Sequence, residues 1–288
     1  MSGSENRRLR EILNKREAVL LPGAANALAA RIIEDLGFKA VYVTGAGITN
    51  TFLGSPDIGL ISMTELVNHV SAMRDAVTLP LIVDADTGFG NALNVARTIK
   101  ALERSGANAV QLEDQEFPKR CGHFSGKSVI DCAEMVQKIH AAVDARDDAD
   151  LIIIARTDAL ASHGFEGAIE RAAAYIEAGA DMTFVEAPKT EDEIAEIPRR
   201  LRAPQLINVV SGGLTPTIGL RELEAFGFSM ILYANAALQA SIAGMQNVLK
   251  HLKAHGTLEG VSAQLASFDE RQRLVRKLRF DELEQKYS

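Results

Sequence analysis

The chain has 288 residues, a formal charge of −7, 47% hydrophobic residues and no tryptophan. That length can bury a full core and suits either two small domains or one large α/β barrel, while the acidic balance, with Arg7-Arg8 and Arg199-Arg200 set among acids, argues against a nucleic-acid partner. Two cysteines, Cys121 and Cys132, are too few for a disulfide scaffold and fit a reducing compartment; with no apolar signal core at the start and no run long enough for a bilayer, the expected location is cytoplasmic, with no membrane partner.

Leu9, Ile12 and Leu13 on a charged segment predict a short amphipathic N-terminal helix. A strand–helix rhythm then begins. Ala18–Leu21 is a strand candidate, and Leu28, Ile32, Ile33 and Leu36 give the stripe of a helix closed by Gly37. Val41–Val43 leads into Thr44-Gly45-Ala46-Gly47, a long loop and a helix from about Thr64. Leu81–Val83 ends in Asp84-Ala85-Asp86, and the helix after Asn91 closes at Gly106. Val110–Leu112 ends in Glu113-Asp114, ahead of a cysteine-bearing loop and a helix from Cys132 to Val143. Leu151–Ala155 ends in Arg156-Thr157-Asp158, with a helix from Phe165 to Ala178 closed by Gly179. Thr183–Val185 ends in Glu186 and Leu206-Ile207 in Asn208; Met230–Tyr233 is the last strand, followed by a helix from Ala236 to Ala254.

Eight strand–helix pairs can be counted, with short, β-branched strands suited to burial on both faces. The predicted fold is a (β/α)8 TIM barrel forming a single domain over 1–288, with its active site where the strands end. The polar residues just named fall at those ends. In a doubly wound sheet they would spread over two edges. The stretch 258–288 is expected to be a C-terminal helical extension. Its Val261, Leu265, Leu274, Val275, Leu278 and Phe280 have to pack on the barrel or on another subunit.

Asp84 and Asp86 share a face if the strand continues through them, and with Glu113 at the neighbouring strand end they make an oxygen-rich pocket suited to Mg2+ or Mn2+. The competing reading has one acid capping the helix near Asn91 and the other paired with Arg156. Asp57, in Gly54-Ser55-Pro56-Asp57, is either an outer acid of that pocket or a turn residue. Arg156 emerges after four apolar residues, where its planar fork suits a substrate carboxylate or a buried pair with Glu186. Asn208 and Glu186 can add hydrogen bonds to the same group, and backbone amides around Thr44, Gly45 and Ala46 can bind an anionic oxygen. Gly45-Ala46-Gly47 is a weak dinucleotide signal, since Asn50 stands where a third glycine belongs and no helix is expected directly after it. His251 and His255 lie among lysines and read as a solvated face; Cys132 reads as packing. Lys119 and Lys127 lie on a loop, against the desolvated lysine that Schiff-base chemistry needs. Cys121 sits between Lys119-Arg120 and His123, a cationic setting that favours thiolate and proton exchange near neutrality.

Lys119-Arg120-Cys121-Gly122-His123 resembles the signature loop of the isocitrate lyase and phosphoenolpyruvate mutase superfamily. Val83–Asn91, Gln111–Gln115, Ala155–Asp158 and Pro22-Gly23-Ala24 match its companion motifs in order, so the resemblance spans essentially the whole chain. It implies a barrel with a Mg2+ site, a gating loop carrying the cysteine, and an eighth helix exchanged between subunits of a homotetramer. Carried over by motif, Asp84, Asp86 and Glu113 hold the metal and Asp57 belongs to its outer shell. Tyr42, Thr44 and Gly45 hold the carboxylate of a 2-keto acid with Arg156, and Cys121 is the general acid–base. Lys119, Gly122, His123, Glu186 and Asn208 complete the pocket.

Three departures shape the expected substrate. Phe124 stands where methylisocitrate lyases usually carry an arginine, which favours a smaller or more apolar acid than a tricarboxylate. Val209-Val210-Ser211-Gly212-Gly213 lacks the glutamate that many relatives have before the glycines. Ala234-Asn235 replaces the serine of relatives that hydrolyse oxaloacetate, and is more like the mutases. The expected activity is a Mg2+-dependent carbon–carbon lyase cleaving a 2-hydroxy dicarboxylate of the 2,3-dimethylmalate or 2-methylisocitrate kind. The alternatives are a carboxyphosphonoenolpyruvate mutase-like enzyme and an oxaloacetate hydrolase or decarboxylase.

Overall fold

The computed structural model describes the chain apart from residues 1, 16, 121–125, 127, 211, 213, 214 and 217 and the side chains of 2–4. Among the described residues, eight parallel strands close into a barrel in chain order. They are β1 (Val19–Ala24), β2 (Val41–Val43), β3 (Leu81–Asp84), β4 (Ala109–Glu113), β5 (Ile152–Thr157), β6 (Met182–Val185), β7 (Gln205–Asn208) and β8 (Met230–Tyr233). β8 returns to β1 in the register Val19↔Met230 to Pro22↔Tyr233.

Helix α1 (Ser2–Asn14) precedes the barrel and α2 (Ala27–Asp35) follows β1. After β2 come the single turn α3 (Gly45–Ile48), a π-helical turn (Thr49–Leu53) and α4 (Met63–Ala76). The remaining strands are followed by α5 (Ala92–Arg104), α6 (Cys132–Ala145), α7 (Leu160–Glu177), α8 (Glu191–Arg200), α9 (Leu220–Phe226) and α10 (Ala236–His255). A 3-10 turn (Ser262–Gln264) and helices α11 (Phe268–Leu274) and α12 (Lys277–Tyr287) end the chain.

Alternation along the strands sets the site. One core cluster fills the barrel interior with Tyr42, Ile82, Ala109, Ile152, Ile154, Met182, Phe184, Leu206, Met230 and Leu232. Side chains two residues apart share a face, so continuing each strand upward brings Asp84, Glu113, Arg156, Glu186, Asn208 and Ala234 to the same axis at the C-terminal mouth. The alternate neighbours, such as Val83, Val110, Ile153 and Ala155, face outward into the helix layer. Helix α1 closes the opposite end: Leu9 and Leu13 join the interior cluster, and Arg10 donates to the carbonyl oxygens of Ala149 and Asp150 at 2.7 and 3.1 Å.

One element departs from the sequence expectation. Of the stripe assigned to α2 only Ile33 is buried, together with Ala30, whereas Leu28, Ile32 and Leu36 are exposed. Helix α10 buries no residue at all and leaves Ile242, Met245, Leu249 and Leu252 in the open. The C-terminal segment buries Val261 but leaves Leu265, Val275, Leu278 and Phe280 exposed. Helix α11 and the turn after it lie along α2, where Arg273 pairs with Asp35 at 2.6 Å and Arg276 with Glu34 at 2.8 Å. No described helix is long and apolar enough to cross a membrane.

Candidate active site

At the barrel mouth a small cavity is lined by Tyr42, Thr44, Ala46, Asp57, Asp84, Lys119, Arg156, Glu186, Asn208 and Asn235, with Phe184, Val210, Leu232 and Ala234 as its apolar wall. Most of the expected site residues therefore meet in one place. Gly45 is beside them, since a Cβ there would lie 3.3 Å from Asp84 Oδ2 and 3.4 Å from Asp86 Oδ1. Cys121, Gly122, His123, Phe124 and Lys127 lie outside the described residues, as do Ser211 and Gly213.

Strand alternation does not account for both aspartates. Strand β3 ends at Asp84, and Asp86 follows in a left-handed turn with φ 47°. Asp86 still returns to the mouth because that turn reverses the chain, and its carbonyl accepts from Glu113 N at 2.9 Å. Neither acid caps the next helix: Asn91 does so, its side chain accepting from Leu93 and Asn94 amides. Tyr42 donates to Gln111 Oε1 at 2.9 Å, and Gln111 Nε2 donates to Asp84 Oδ1 at 3.2 Å. Burial and the nearby Asp84 carboxylate hold the Tyr42 phenol well above its ordinary pKa, so Tyr42 remains a neutral donor.

Lys119 is more deeply embedded than its loop position implied. Only 4% of its side chain is exposed, and Nζ lies 2.5 Å from Asp57 Oδ1 and 2.9 Å from Asp86 Oδ1. Burial alone would lower its pKa, but Asp86, Glu113 and Asp57 outweigh it and hold the ammonium charged. That is the opposite of what an amine nucleophile needs. Asp57 is thus part of the pocket's charge network and not merely a turn residue.

Arg156 is gripped from the side by Asp158, Nε to Oδ2 at 2.8 Å and Nη2 to Oδ1 at 3.0 Å. Its Nη1 lies 3.3 Å from Glu113 Oε2, its Nη2 lies 3.8 Å from Glu186 Oε1, and the guanidinium stacks 5.2 Å above the Phe184 ring. The paired reading of Arg156 holds, and Arg156 also lines the cavity. The sequence reading gave Asp158 no role. The signal was present: an acid two residues beyond an inward arginine, at the end of one strand, lands beside it.

Thr44 caps the single turn that starts at Gly45, its Oγ1 accepting from Gly47 N at 3.2 Å. A helix therefore does begin directly after β2, contrary to expectation, although it lasts one turn before widening to π geometry. Thr44 Oγ1 also lies 3.5 Å from Asn235 Oδ1, which draws Asn235 into the site. His251 contacts Glu259 O at 2.7 Å on an exposed face, and Cys132 stands half-buried at the start of α6.

Among the described residues no group of three His, Cys, Asp or Glu side chains is arranged as a ready metal cage. Lys119 and Arg156 instead take up Asp86 and Glu113. The donor chemistry nevertheless fits a hard divalent cation. Six carboxylates, from Asp57, Asp84, Asp86, Glu113, Asp158 and Glu186, gather around two cations. Glu113 is 1% exposed, and among the described residues neither of its oxygens has a hydrogen-bond partner beyond the Arg156 ion pair. Burial, with Asp84 and Asp57 adding to it, raises Asp86 to about 6 against the pull of Lys119, and burial raises Glu113 as well. Such acids are under-compensated, and oxygen donors of this kind suit Mg2+ or Mn2+.

The family model for phosphoenolpyruvate phosphomutase matches residues 9–253. The chain belongs to the phosphoenolpyruvate mutase and isocitrate lyase superfamily. It is 42% identical to 2,3-dimethylmalate lyase of Eubacterium barkeri, covering 98% of this chain and 97% of that one. It is 45% identical to 2-methylisocitrate lyase of Aeropyrum pernix, over 89% and 82%. Carboxyvinyl-carboxyphosphonate phosphorylmutase of Arabidopsis thaliana is 41% identical over 98% and 84%. Among solved members of the superfamily, 2,3-dimethylmalate lyase superposes with a TM-score of 0.93 at 32% identity, covering 99% of this chain and 95% of the other. Oxaloacetate acetylhydrolase bound to 3,3-difluorooxalacetate gives 0.91 at 35%, over 97% and 96%. Phosphonopyruvate hydrolase with oxalate and Mg2+ gives 0.89 at 30%, over 98% and 99%.

Proposed function

We propose that this carbon–carbon lyase of the superfamily is Mg2+-dependent and cleaves a 2-hydroxy dicarboxylate, a branched malate of the 2,3-dimethylmalate kind, to pyruvate or another 2-keto acid and a carboxylic acid. The observation that carries the reading is the charge pattern of the mouth: a dicarboxylate has to enter a pocket with many more carboxylates than cations. Asp84, Asp86 and Glu113 are the residues that would hold a divalent cation there, with Asp57 behind them. Bound Mg2+, or Mn2+ in its place, supplies Lewis acidity that lowers the pKa of the substrate's 2-hydroxyl.

The protein's own groups do the rest. Arg156 and the Thr44, Gly45 and Ala46 amides receive the carboxylate next to the reacting carbon. Tyr42, kept neutral, would turn its single O–H from Gln111 Oε1 to the 2-oxygen when substrate binds. Glu186 and Asn208 fix the same end of the substrate, and Lys119 offsets part of the negative field. The 2-hydroxyl proton would pass to a carboxylate of the acidic mouth, the C2–C3 electron pair would leave with the enolised carboxylate, and that product would take a proton at C3. Cys121, with Arg120 before it and His123 two residues on, is the assigned acid, and Gly122 belongs to the same loop motif. Phe184, Val210, Leu232 and Ala234 offer apolar contacts and no cation, which supports alkyl substituents over a third carboxylate.

A mutase-like reading is favoured by one observation, the Ala234-Asn235 pair at the cavity rim beside Thr44, and oxaloacetate hydrolysis stays as the other alternative. Release of 2-keto acid from substituted malates, 2-methylisocitrate, oxaloacetate and phosphonopyruvate, measured with Mg2+, separates the readings. Turnover of branched malates above the others is the expected result, and turnover confined to oxaloacetate or the phosphonate would replace it. The assembly we propose is a homotetramer with α10 exchanged between subunits, and the two-cysteine composition supports a cytoplasmic setting.

A further inference from the structure

Asp114 follows Glu113 at the end of β4, so alternation turns its side chain away from the cavity into the wall behind it. The carboxylate is fully buried. Oδ2 accepts from Thr157 Oγ1 at 2.7 Å and from Tyr175 OH at 2.8 Å, and lies 3.4 Å from Arg171 Nη1. Oδ1 accepts from the backbone amide of Asp158 at 2.9 Å. The main chain of Asp114 adds a third tie, its N–H donating to Arg156 O at 3.2 Å. One residue therefore holds 156, 157 and 158 in succession.

A strand's outward face in a barrel is normally apolar, as Leu112 and Ala155 are here, and a buried carboxylate is costly unless its donors are supplied. Here two of the four donors come from the two residues that follow Arg156, and two from α7 behind them. Asp158, whose amide Asp114 fixes, is the residue that grips Arg156 on Nε and Nη2. That grip leaves Nη1 as the guanidinium nitrogen turned toward Glu113. We infer that Asp114, backed by Tyr175 and Arg171, is a positioning residue that sets the Asp158 grip and so aims Arg156 at the substrate carboxylate. The substrate part of this inference rests on the proposed function; the Arg156 orientation does not.

The test uses full-length Asp114→Asn and Tyr175→Phe with two readouts. The first is the Arg156 Nε–H resonance in 15N-arginine-labelled protein without ligand, assigned by its loss in Arg156→Lys. Wild-type protein should show a downfield, slowly exchanging signal from the Asp158 pair, and both variants should shift it and speed its exchange. The second is pyruvate binding by calorimetry in the presence of Mg2+, against Mn2+ binding followed by electron paramagnetic resonance. Pyruvate affinity should fall about tenfold in Asp114→Asn, the scale of one weakened charge-assisted contact. Tyr175→Phe, which loses one donor and keeps the acid, should give a smaller fall in the same direction. Mn2+ affinity should change less than pyruvate affinity in each.

An unmoved Nε signal in the variants overturns the inference, as does an equal loss of pyruvate and Mn2+ affinity, which is what a merely structural acid would give. Should Asp114→Asn fail to fold, Tyr175→Phe decides by the same criteria. Wild-type protein that does not bind pyruvate sinks the proposed function instead, and the Nε signal still judges whether Asp114 positions Arg156.

Discussion

If Cys121 protonates the departing carbanion, a hydroxyl in its place is too weak an acid to take over. Cys121→Ser is expected to lose on the order of 10²–10⁴ in turnover, the usual range for general acid catalysis, while pyruvate still binds through Arg156 and the Thr44–Gly45 amides. 2-Keto acid release checks the first part and calorimetry the second; a variant within about tenfold of the parent would move the acid role elsewhere. The acids lead to a separate expectation. Chelator should abolish turnover and Mg2+ or Mn2+ restore it, and Asp86→Ala should raise the Mn2+ dissociation constant by at least tenfold, as loss of a carboxylate ligand does. Full turnover of metal-free Asp86→Ala would remove the metal from the reading. At this scale much of the pocket was legible, because a polar residue ending an apolar β-branched run can only emerge at the mouth. Asp84, Glu113, Arg156, Glu186 and Asn208 all obey that rule. Asp86 reaches the site by a different route, since its φ of 47° depends on the Gly88 and Gly90 turn and not on the strand. The burial of Lys119, though not its place in the pocket, escaped the sequence because nothing local in a loop reveals two acids 62 and 33 positions upstream.

Among the elements, α1 is the one whose role extends beyond its own turns. Its Leu9 and Leu13 enter the same cluster as Leu21, Ala40 and Ile152, so the helix stoppers the barrel end opposite the site. Asn6 fits the same picture, donating to Asp148 Oδ2 at 2.8 Å and accepting from Asn108 Nδ2 at 2.7 Å, with Asn108 holding the Leu81 amide at the foot of β3. Leu9→Ala should therefore cost about 2–5 kcal/mol in denaturant unfolding, the range for a fully buried leucine. Its KM should stay near the parent's, because the helix touches only the far end. A loss below about 0.5 kcal/mol, typical of surface changes, would mean that α1 only rests on the surface. The sequence periodicity predicted this helix, but not what it covers. The same blindness explains α2: Leu28, Ile32, Ile33 and Leu36 read as one stripe by spacing, yet the barrel takes Ala30 and Ile33 and leaves Leu28, Ile32 and Leu36 outside. Spacing reports that a face is apolar; it does not report which neighbour claims it.

At the scale of the molecule the unclaimed apolar surface is concentrated. The eighth barrel helix, α10, spans 20 residues and buries none of them, whereas the other barrel helices lay a face on the sheet. Its Ile242, Met245, Leu249 and Leu252 recur at helical spacing and are exposed, while Leu28 and Ile32 of α2 share a cavity with Ala237, Leu238 and Ser241 at the start of α10. Full burial of one such side chain is worth about 1.5–3 kcal/mol, so leaving the stripe in water forfeits a substantial part of a domain's net stability, which is only about 5–15 kcal/mol. A second copy is the occupant we propose, because an α10 that does not cover its own barrel leaves an equivalent apolar groove on every copy, and exchange fills all of them by symmetry. Light scattering should then give a mass several times that of the 31.1 kDa chain, expected to be a tetramer. Met245→Lys with Leu249→Lys should shift the protein toward smaller species, lower its thermal midpoint, and reduce activity at low protein concentration more than at high. That concentration dependence separates lost assembly from a local defect in α10, which would act equally at every dilution. A fully active 31.1 kDa monomer in the parent protein would show that α10 needs no second copy, and that the exposed stripe has some other purpose.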